Sequence, residues 1–172
     1  AQDLQFTQLL EGSKQFIIPI FQRTYSWEQS HCQQLWADIV RVGKNPELNS
    51  HFIGSAVYIP EEDTSAAISR WLVIDGQQRI TTMTLLLLAF KRRLEADQID
   101  EPVGPELIED YYLKNRYGKG DLGYKMLLTR TDKDTLIALI DNKEPGEDAS
   151  HRILENYKYF SEQMASADLD AV

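Results

Sequence analysis

The feature that most constrains this fold is a segment, residues 80–94, that is apolar on nearly every side of a helix. Hydrophobic residues and threonines recur at helical spacing until Lys91, where three consecutive cations begin. A helix without a polar face must be surrounded by other elements, so the pattern predicts a helix deep in the core. The apolar run 71–74, a short distance before it, is typical of a strand. We therefore expect a strand that leads through a short turn into a central helix.

Composition limits the class of protein. The 172 residues carry 18 Lys and Arg against 27 Asp and Glu, a net charge of −9, and 42% of them are hydrophobic. These values are typical of an ordinary globular chain with one domain, with or without a helical appendage. The acidic balance and the pI near 4.8 argue against binding of nucleic acid or anionic membrane through bulk charge. A small local basic site remains compatible with them.

The sequence also bears on location. Cys32 is the only cysteine, so no internal disulfide can form and we expect a reducing, cytoplasmic setting. The longest apolar run, residues 85–90, is far shorter than the roughly 20 residues that a membrane helix needs. No signal peptide is recognisable. Since the chain starts with Ala1 and not with Met, we expect a fragment of a longer protein.

Periodicity and turn residues predict a mixed α/β front part, residues 1–97. We expect helices at 3–10 and 28–42, and strands at 16–18, 52–59 and 71–74. The last two strands form an antiparallel pair, and Pro19 argues against a central position for the first. Ser26 is the predicted cap of the second helix.

The second part, residues 98–172, is predicted to be a mainly helical extension. It contains helical patterns at 106–115, 132–140 and 150–164, with a short strand at 124–129. Thr131 is the predicted cap of the middle helix. The predicted fold class of the whole chain is therefore α+β.

The strand–helix junction is the strongest candidate site. Asp75 and Gly76 end the strand, and Gln77, Gln78 and Arg79 open the helix. Free backbone N–H groups and the positive end of the helix dipole favour an anion there, Gly76 permits a close backbone approach, and the Arg79 guanidinium suits phosphate. Asp75 is placed to hold a divalent cation beside that phosphate or to orient a water molecule. The alternative is an ordinary Asp-Gly turn.

The next two residues of polar character, Thr81 and Thr82, allow the same two interpretations. Their hydroxyls are candidates for phosphate contacts, and they are equally suited to a simple role in the first helical turn.

A second polar cluster lies among aromatic residues before the first long helix. Gln22 and Arg23 are candidates for further phosphate contacts, while Tyr25 and Trp27 suit either base stacking or the core. His51 begins the segment His-Phe-Ile-Gly-Ser, in which Gly54 suggests the close approach of a ligand or a backbone. A lone histidine at a strand start is equally typical of the surface. No zinc motif, nucleophile elbow or P-loop is present.

These clusters together resemble the GmrS-like N-terminal domain of GmrSD-type modification-dependent restriction proteins. The motifs that carry the resemblance are Ile-Pro-x-Phe-Gln-Arg-x-Tyr-x-Trp at 18–27, His-Phe-Ile-Gly-Ser at 51–55, Asp-Gly-Gln-Gln-Arg-x-Thr-Thr at 75–82, Leu-Leu-Thr at 127–129 with Asp132, and Arg-Ile at 152–153 with Asn156, Tyr157, Tyr159 and Phe160. Their order along nearly the whole chain makes the resemblance specific.

The resemblance implies a ParB/sulfiredoxin-like core in which the Gly-x-x-Arg turn, Gly76 to Arg79, holds nucleotide phosphates. It further implies nucleotide binding and hydrolysis, with Asp75, Gln77, Gln78 and Arg79 at the centre and Gln22 and Arg23 closing the site. Mg²⁺ or another divalent cation would bind at Asp75. Sulfiredoxin chemistry needs a cysteine where this turn has glutamine, so we do not expect that activity.

Three functions follow as hypotheses. The first is a nucleotide-binding, metal-assisted NTP-hydrolysing domain that regulates a nuclease domain in phage defence. The second is a ParB-like nuclease that acts directly on DNA, and the third is a non-catalytic sensor of nucleotide or modified DNA. The family's nuclease half contains a histidine motif that is absent from this sequence. We therefore expect no DNA cleavage by this chain alone and contact with DNA only through a longer protein.

Overall fold

The computed structural model describes residues 6–45, 54–61 and 68–167. Within these ranges a four-stranded mixed sheet packs with six α-helices, which confirms the predicted α+β class. The strands are β1 Lys14–Ile17, β2 Val57–Pro60, β3 Ser69–Asp75 and β4 Met126–Leu127. The helices are α1 Phe6–Leu10, α2 Gln29–Lys44, α3 Gln77–Ala96, α4 Pro105–Ile108, α5 Arg130–Ile140 and α6 His151–Ser166.

The sheet has the order β2-β3-β1-β4, and its three strands β3, β1 and β4 run parallel. Strand β2 is antiparallel to β3, which confirms the predicted pairing, although Phe52 and Ile53 of the predicted strand lie outside the described residues. The expectation that Pro19 keeps the first strand from the centre is wrong. Strand β1 ends at Ile17, two residues before the proline, so no ladder donor is lost, and the N–H of Ile18 still donates to the Leu127 carbonyl at 3.0 Å.

Helix α3 forms the centre of the protein, as its apolar pattern predicts. It begins at Gln77, three residues before the predicted start, and its leucines from 85 to 88 are buried. Helix α6 packs along it and contributes Ile153, Phe160 and Met164 to the same core. None of the helices in the described ranges is both long enough and apolar enough to cross a lipid bilayer.

Two predicted helix caps, Ser26 and Thr131, are wrong. The N-cap residue of α2 is Glu28, whose N–H donates to His31 Nδ1 at 3.0 Å, whereas the N–H of Ser26 donates to a side chain of another helix. The N-cap residue of α5 is Thr129, and Thr131 lies inside that helix. The N-cap residue of each helix lies two residues away from the predicted cap, at Glu28 and at Thr129.

Elements of the front and rear parts of the sequence share one sheet and one core. Strand β4 pairs with β1, and Leu136 of α5 belongs to the same buried cluster as Leu10 and Val73. The predicted helix at 106–115 is the short α4 followed by a π-helical turn, Glu109–Leu113. The division at residue 97 and the ParB/sulfiredoxin-like arrangement stay predictions.

Candidate functional site

A cleft opens where the three parallel strands end. Each strand leads into a segment that lines the cleft: Ile18, Arg23 and Tyr25 follow β1, Gln77, Gln78 and Thr81 follow β3, and Leu128, Thr129 and Asp132 follow β4. Its cavity volume is about 10 Å³, room for about one water molecule and far below the roughly 300–1,000 Å³ of a typical small-molecule site. A molecule larger than a few polar groups would therefore extend from the cleft onto the surface.

The turn between β3 and α3 requires glycine. Gly76 is the N-cap residue of α3 with φ at 90°, and a Cβ there would lie 2.9 Å from the carbonyl oxygen of Ser55. The N–H of Gly76 donates to Oδ1 of Asp75 at 2.9 Å, which orients this carboxylate at the end of the strand. Asp75 is exposed and makes no ion pair with the described residues. The predicted turn thus has the geometry that its sequence indicates.

The first turn of α3 presents its polar side chains in two directions. Gln77 and Thr81 line the cleft, whereas Arg79 lies against Gly54 on another side of the helix. A Cβ on Gly54 would lie 2.6 Å from the Arg79 guanidinium carbon, and the φ of Gly54 is 126°. The structure therefore does not bring Arg79 into the cleft that Arg23 lines. Neither arginine pairs with a carboxylate in the described part of the chain, and both are exposed.

Gln22 connects the end of β3 to the start of α3. Its Nε2 donates to the Ile74 carbonyl at 3.1 Å, and its Oε1 accepts from Nε2 of Gln77 at 3.2 Å. Gln22 and Gln77 are both half-buried, and Gln77 also lines the cleft. Among the predicted site residues that the structure describes, solvent reaches the side chains of Asp75, these two glutamines, the two arginines and the half-buried Trp27.

Gln78 and Thr82, by contrast, use their hydrogen-bonding capacity inside the protein. The Oε1 of Gln78 accepts from the Ser26 N–H at 2.8 Å, and its Nε2 donates to the Thr24 carbonyl at 3.2 Å. Thr82 is completely buried, and its hydroxyl donates to the Gln78 carbonyl at 2.8 Å. The position of these groups suits them to holding the chain around the cleft.

Tyr25 belongs to the core, and Trp27 lies beside it. The Tyr25 side chain is buried, and its hydroxyl contacts Thr82 Oγ1 at 2.7 Å. Burial raises the pKa of Tyr25 above its usual range, so the phenol stays protonated. Trp27 is half-buried and stacks on His31 at 5.3 Å between ring centroids. The core alternative accounts for Tyr25 directly.

Two polar residues of the rear helices complete this region. Asp132 of α5 accepts the Tyr25 N–H at 2.7 Å, and Asn156 of α6 donates to the Tyr25 hydroxyl and to the Trp27 carbonyl. The sequence associated both residues with the family resemblance but assigned them no role at the site. In each helix a polar residue stands among the residues that face the core, and this pattern is the sequence signal that could have identified Asp132 and Asn156.

His51 lies outside the described residues. Among the residues that are described, no group of three or more His, Cys, Asp or Glu side chains is placed to surround a metal ion. A metal site formed by protein ligands alone is therefore not visible in this part of the chain.

Comparison with known proteins gives one family match. The family model described as GmrSD restriction endonuclease, N-terminal domain, matches residues 6–171. This range contains the whole sheet, the six helices and every residue that lines the cleft. No curated protein matches the chain.

Proposed function

Because the chain belongs to the family of the GmrSD restriction endonuclease N-terminal domain, we propose that it is a nucleotide-binding domain that hydrolyses nucleoside triphosphates with a divalent cation. Membership of this family assigns the chain to a restriction system and thus to phage defence. The proposal adds a ligand and a reaction. In this role the domain would act in the cytoplasm and regulate a nuclease domain, which would itself contact modified DNA.

The observation that carries the proposal is the convergence of polar segments at the carboxyl ends of three parallel strands. Ligands of open α/β sheets bind outside this edge, where loops and helix starts meet. Here α3 and α5 both begin at the edge, and Thr129 and Gln77 at their starts line one cleft. Arg23 extends this region with a cation that has no carboxylate partner among the described residues. An anion is the ligand that such a surface favours.

The two arginines would contact different parts of a phosphate chain. Arg23 lines the cleft beside Gln77 and Thr81, while Arg79 lies by Gly54 on another side of the first turn of α3. A triphosphate that passes over the start of α3 can meet both guanidinium groups, whereas a single phosphate can meet one. The cleft is too small to enclose a whole nucleotide, so the base would lie towards the surface.

Asp75 has the chemistry that a magnesium ion requires in such a site. Mg²⁺ is usually held by one or two carboxylates together with the phosphates of the substrate, so a cage of protein ligands is not needed. Asp75 is exposed, is oriented by the Gly76 N–H and has no cation partner in the described ranges. When bound, the ion would offset phosphate charge and lower the pKa of a coordinated water molecule.

The chain's own groups have separate roles in this proposal. Arg79 and Arg23 hold the phosphates and stabilise charge that develops on them, and Gln77 positions water or substrate through its accessible edge. Gly76 allows the turn to pass close to Ser55 and Ala56, and so shapes the start of α3. Gln78 and Thr82 act indirectly: Gln78 holds the backbone of Thr24 and Ser26, and Thr82 contacts the Tyr25 hydroxyl, all in the segment that follows Arg23.

Hydrolysis of the four common ribonucleoside triphosphates with Mg²⁺ tests the proposal. We expect turnover of at least one of them by the wild type and a loss of at least about a hundredfold in kcat/KM for Asp75→Asn and for Arg79→Ala. Arg116→Ala is the matched control, because this exposed arginine follows Asn115, which bonds to Lys14 at the opposite end of β1. Equal turnover in all four proteins would refute the assignment of the site.

The same preparation separates the two alternatives. Nucleotide binding without turnover would favour the non-catalytic sensor. Metal-dependent nicking of DNA by the isolated chain, lost in Asp75→Asn, would favour the ParB-like nuclease. The net charge of −9 favours a nucleotide over a long duplex, because the surrounding field repels a polyanion.

A further inference from the structure

Residues 24–27 form a short irregular segment directly after Arg23, and side chains from three helices hold the backbone of this segment. Gln78 of α3 binds the Thr24 carbonyl and the Ser26 N–H, and Asp132 of α5 accepts the Tyr25 N–H. Asn156 of α6 donates to the carbonyl of Trp27 at 2.8 Å. Four consecutive residues are thus fixed by side chains from distant parts of the sequence.

Asn156 donates a second hydrogen bond in this region, and the groups around it determine which way its amide is oriented. The Trp27 carbonyl can only accept, so the NH₂ group of Asn156 must face it. The other proton of this group goes to the Tyr25 hydroxyl at 2.9 Å. Because the Thr82 hydroxyl proton is already donated to Gln78, Tyr25 donates to Thr82. A directed chain of hydrogen bonds therefore runs from α6 through Tyr25 to the first turn of α3.

This asparagine is costly to bury. Its side chain is completely buried, and its Oδ1 has no hydrogen-bond partner in the part of the chain that the structure describes. An unsatisfied buried oxygen lowers stability, so packing alone does not account for an amide at this position. What the amide contributes is the position of Tyr25 and Trp27, the two residues that end the held segment.

We propose that Asn156 is a positioning residue for the phosphate site, which holds the segment 24–27 so that Arg23 lies at the cleft. The inference rests on the proposed function, since Arg23 is the group whose contact with phosphate it serves. Asn156 acts from a helix 131 residues further along the chain than Tyr25 and does not line the cleft itself.

The chain contains a matched control for this residue. Asn115 is also buried and also donates two bonds from Nδ2, in its case to the backbone carbonyls of Lys14 and Leu122. Its Oδ1 is likewise buried without a partner among the described residues. It lies at the start of β1, the opposite end of the sheet from the cleft. Asn→Leu substitutions at the two positions therefore each remove a buried amide that donates two hydrogen bonds, one near the cleft and one at the opposite end of the sheet.

The experiment measures binding of inorganic tripolyphosphate by titration calorimetry. We expect Asn156→Leu and Arg23→Ala each to weaken binding at least about tenfold, and Asn115→Leu to change it less than about twofold. The double variant Asn156→Leu with Arg23→Ala should bind no more weakly than Arg23→Ala alone, because Asn156 acts through Arg23. Independent, multiplying losses would overturn the inference.

A second variant at position 156 controls for the possibility that Asn156→Leu weakens binding because it misfolds. Asn156→Asp keeps the size of the side chain but loses the donor to the Trp27 carbonyl. In a background with Trp36→Phe and Trp71→Phe, we expect it to increase acrylamide quenching of Trp27 while the far-UV circular dichroism is unchanged. Unchanged quenching together with unchanged tripolyphosphate binding would refute the positioning role.

The two proposals fail in different ways. If the wild type binds tripolyphosphate and Arg23→Ala weakens it, but Asn156→Leu and Asn156→Asp do not, then the positioning role alone is wrong. If the wild type binds neither tripolyphosphate nor any of the four nucleotides, the proposed function is wrong and the positioning role falls with it.

Discussion

A buried lysine makes the stability of this protein depend on pH in an unusual direction. Lys125, just before β4, is 1% exposed, and its ammonium donates to the Gly12 carbonyl. Burial, together with repulsion from Lys14, lowers the pKa of Lys125 to about 8, while Asp110 and Glu11 partly oppose the shift. The cation is therefore harder to maintain in the folded protein than in the unfolded chain.

The sign and size of the effect follow from the two pKa values. Below pH 8 the amine is charged in both states, and folding carries the full penalty. Between about 8 and the ordinary value of 10.5 the unfolded chain binds more protons, so stability rises with pH. From pH 7 to pH 10 this linkage amounts to about 2 to 3 kcal/mol in the free energy of unfolding.

Urea unfolding of the wild type and of Lys125→Met at pH 7, 8, 9 and 10 measures this contribution. At pH 7 we expect the variant to be more stable by about 2 kcal/mol, since the removed penalty exceeds the lost hydrogen bond of about 1 kcal/mol. The difference should shrink or reverse by pH 10. Comparison at each pH cancels the ionisation of other groups, and Lys158→Met, at an exposed position of α6, is the control.

A difference between Lys125→Met and the wild type that is constant across this pH range would refute the reasoning. So would a variant that is less stable than the wild type at pH 7 and equally so at pH 10. Either result would mean that the lysine remains charged at little cost in the folded protein.

Three further substitutions test the geometry of the site. Gly76→Ala should lower the free energy of unfolding by about 1 to 3 kcal/mol, because φ is 90° and the new Cβ meets a carbonyl; in urea titrations Gly146→Ala, with no atom near its Cβ, should be neutral or slightly stabilising. Tyr25→Phe should cost about 1 to 3 kcal/mol by thermal or urea unfolding, since it removes a buried hydroxyl with two partners; an unchanged midpoint would contradict the hydrogen-bond chain. Gly54→Ala should displace the Arg79 guanidinium and weaken tripolyphosphate binding about as much as Arg79→Ala, as calorimetry would measure; full affinity would show that this contact does not position Arg79.

Local sequence patterns predict the elements of this fold well where apolar residues identify the buried side of the element. The apolar segment 80–94 identifies α3, and the antiparallel pair β2 and β3 follows from two strand patterns joined by a polar loop. The helix caps are predicted less well, because Ser26 and Thr131 have suitable side chains but the chain enters each helix elsewhere. A capping preference of about 1 kcal/mol is smaller than the packing energy that sets the direction of a helix.

The candidate site divides in the same way. The Asp-Gly turn could be predicted because Gly76 needs a positive φ and the helix after it is apolar. Two features could not: Arg79 and Arg23 lie on different sides of the first turn of α3, and Gln78 faces inward. Periodicity gives the angle between neighbouring side chains on a helix, but not which side the rest of the protein covers.

The sequence by itself determined that a strand passes through a glycine turn into a buried helix, that the chain is of mixed α and β type, and which residues form a polar start to that helix. These properties depend on backbone preference and on hydrophobic spacing, which act between residues close in sequence. Only the tertiary structure decided that β4 joins the parallel strands and that Asn156 and Asp132 hold the segment after Arg23. Those bonds join groups more than 100 residues apart, and they form only once the core has brought the helices together.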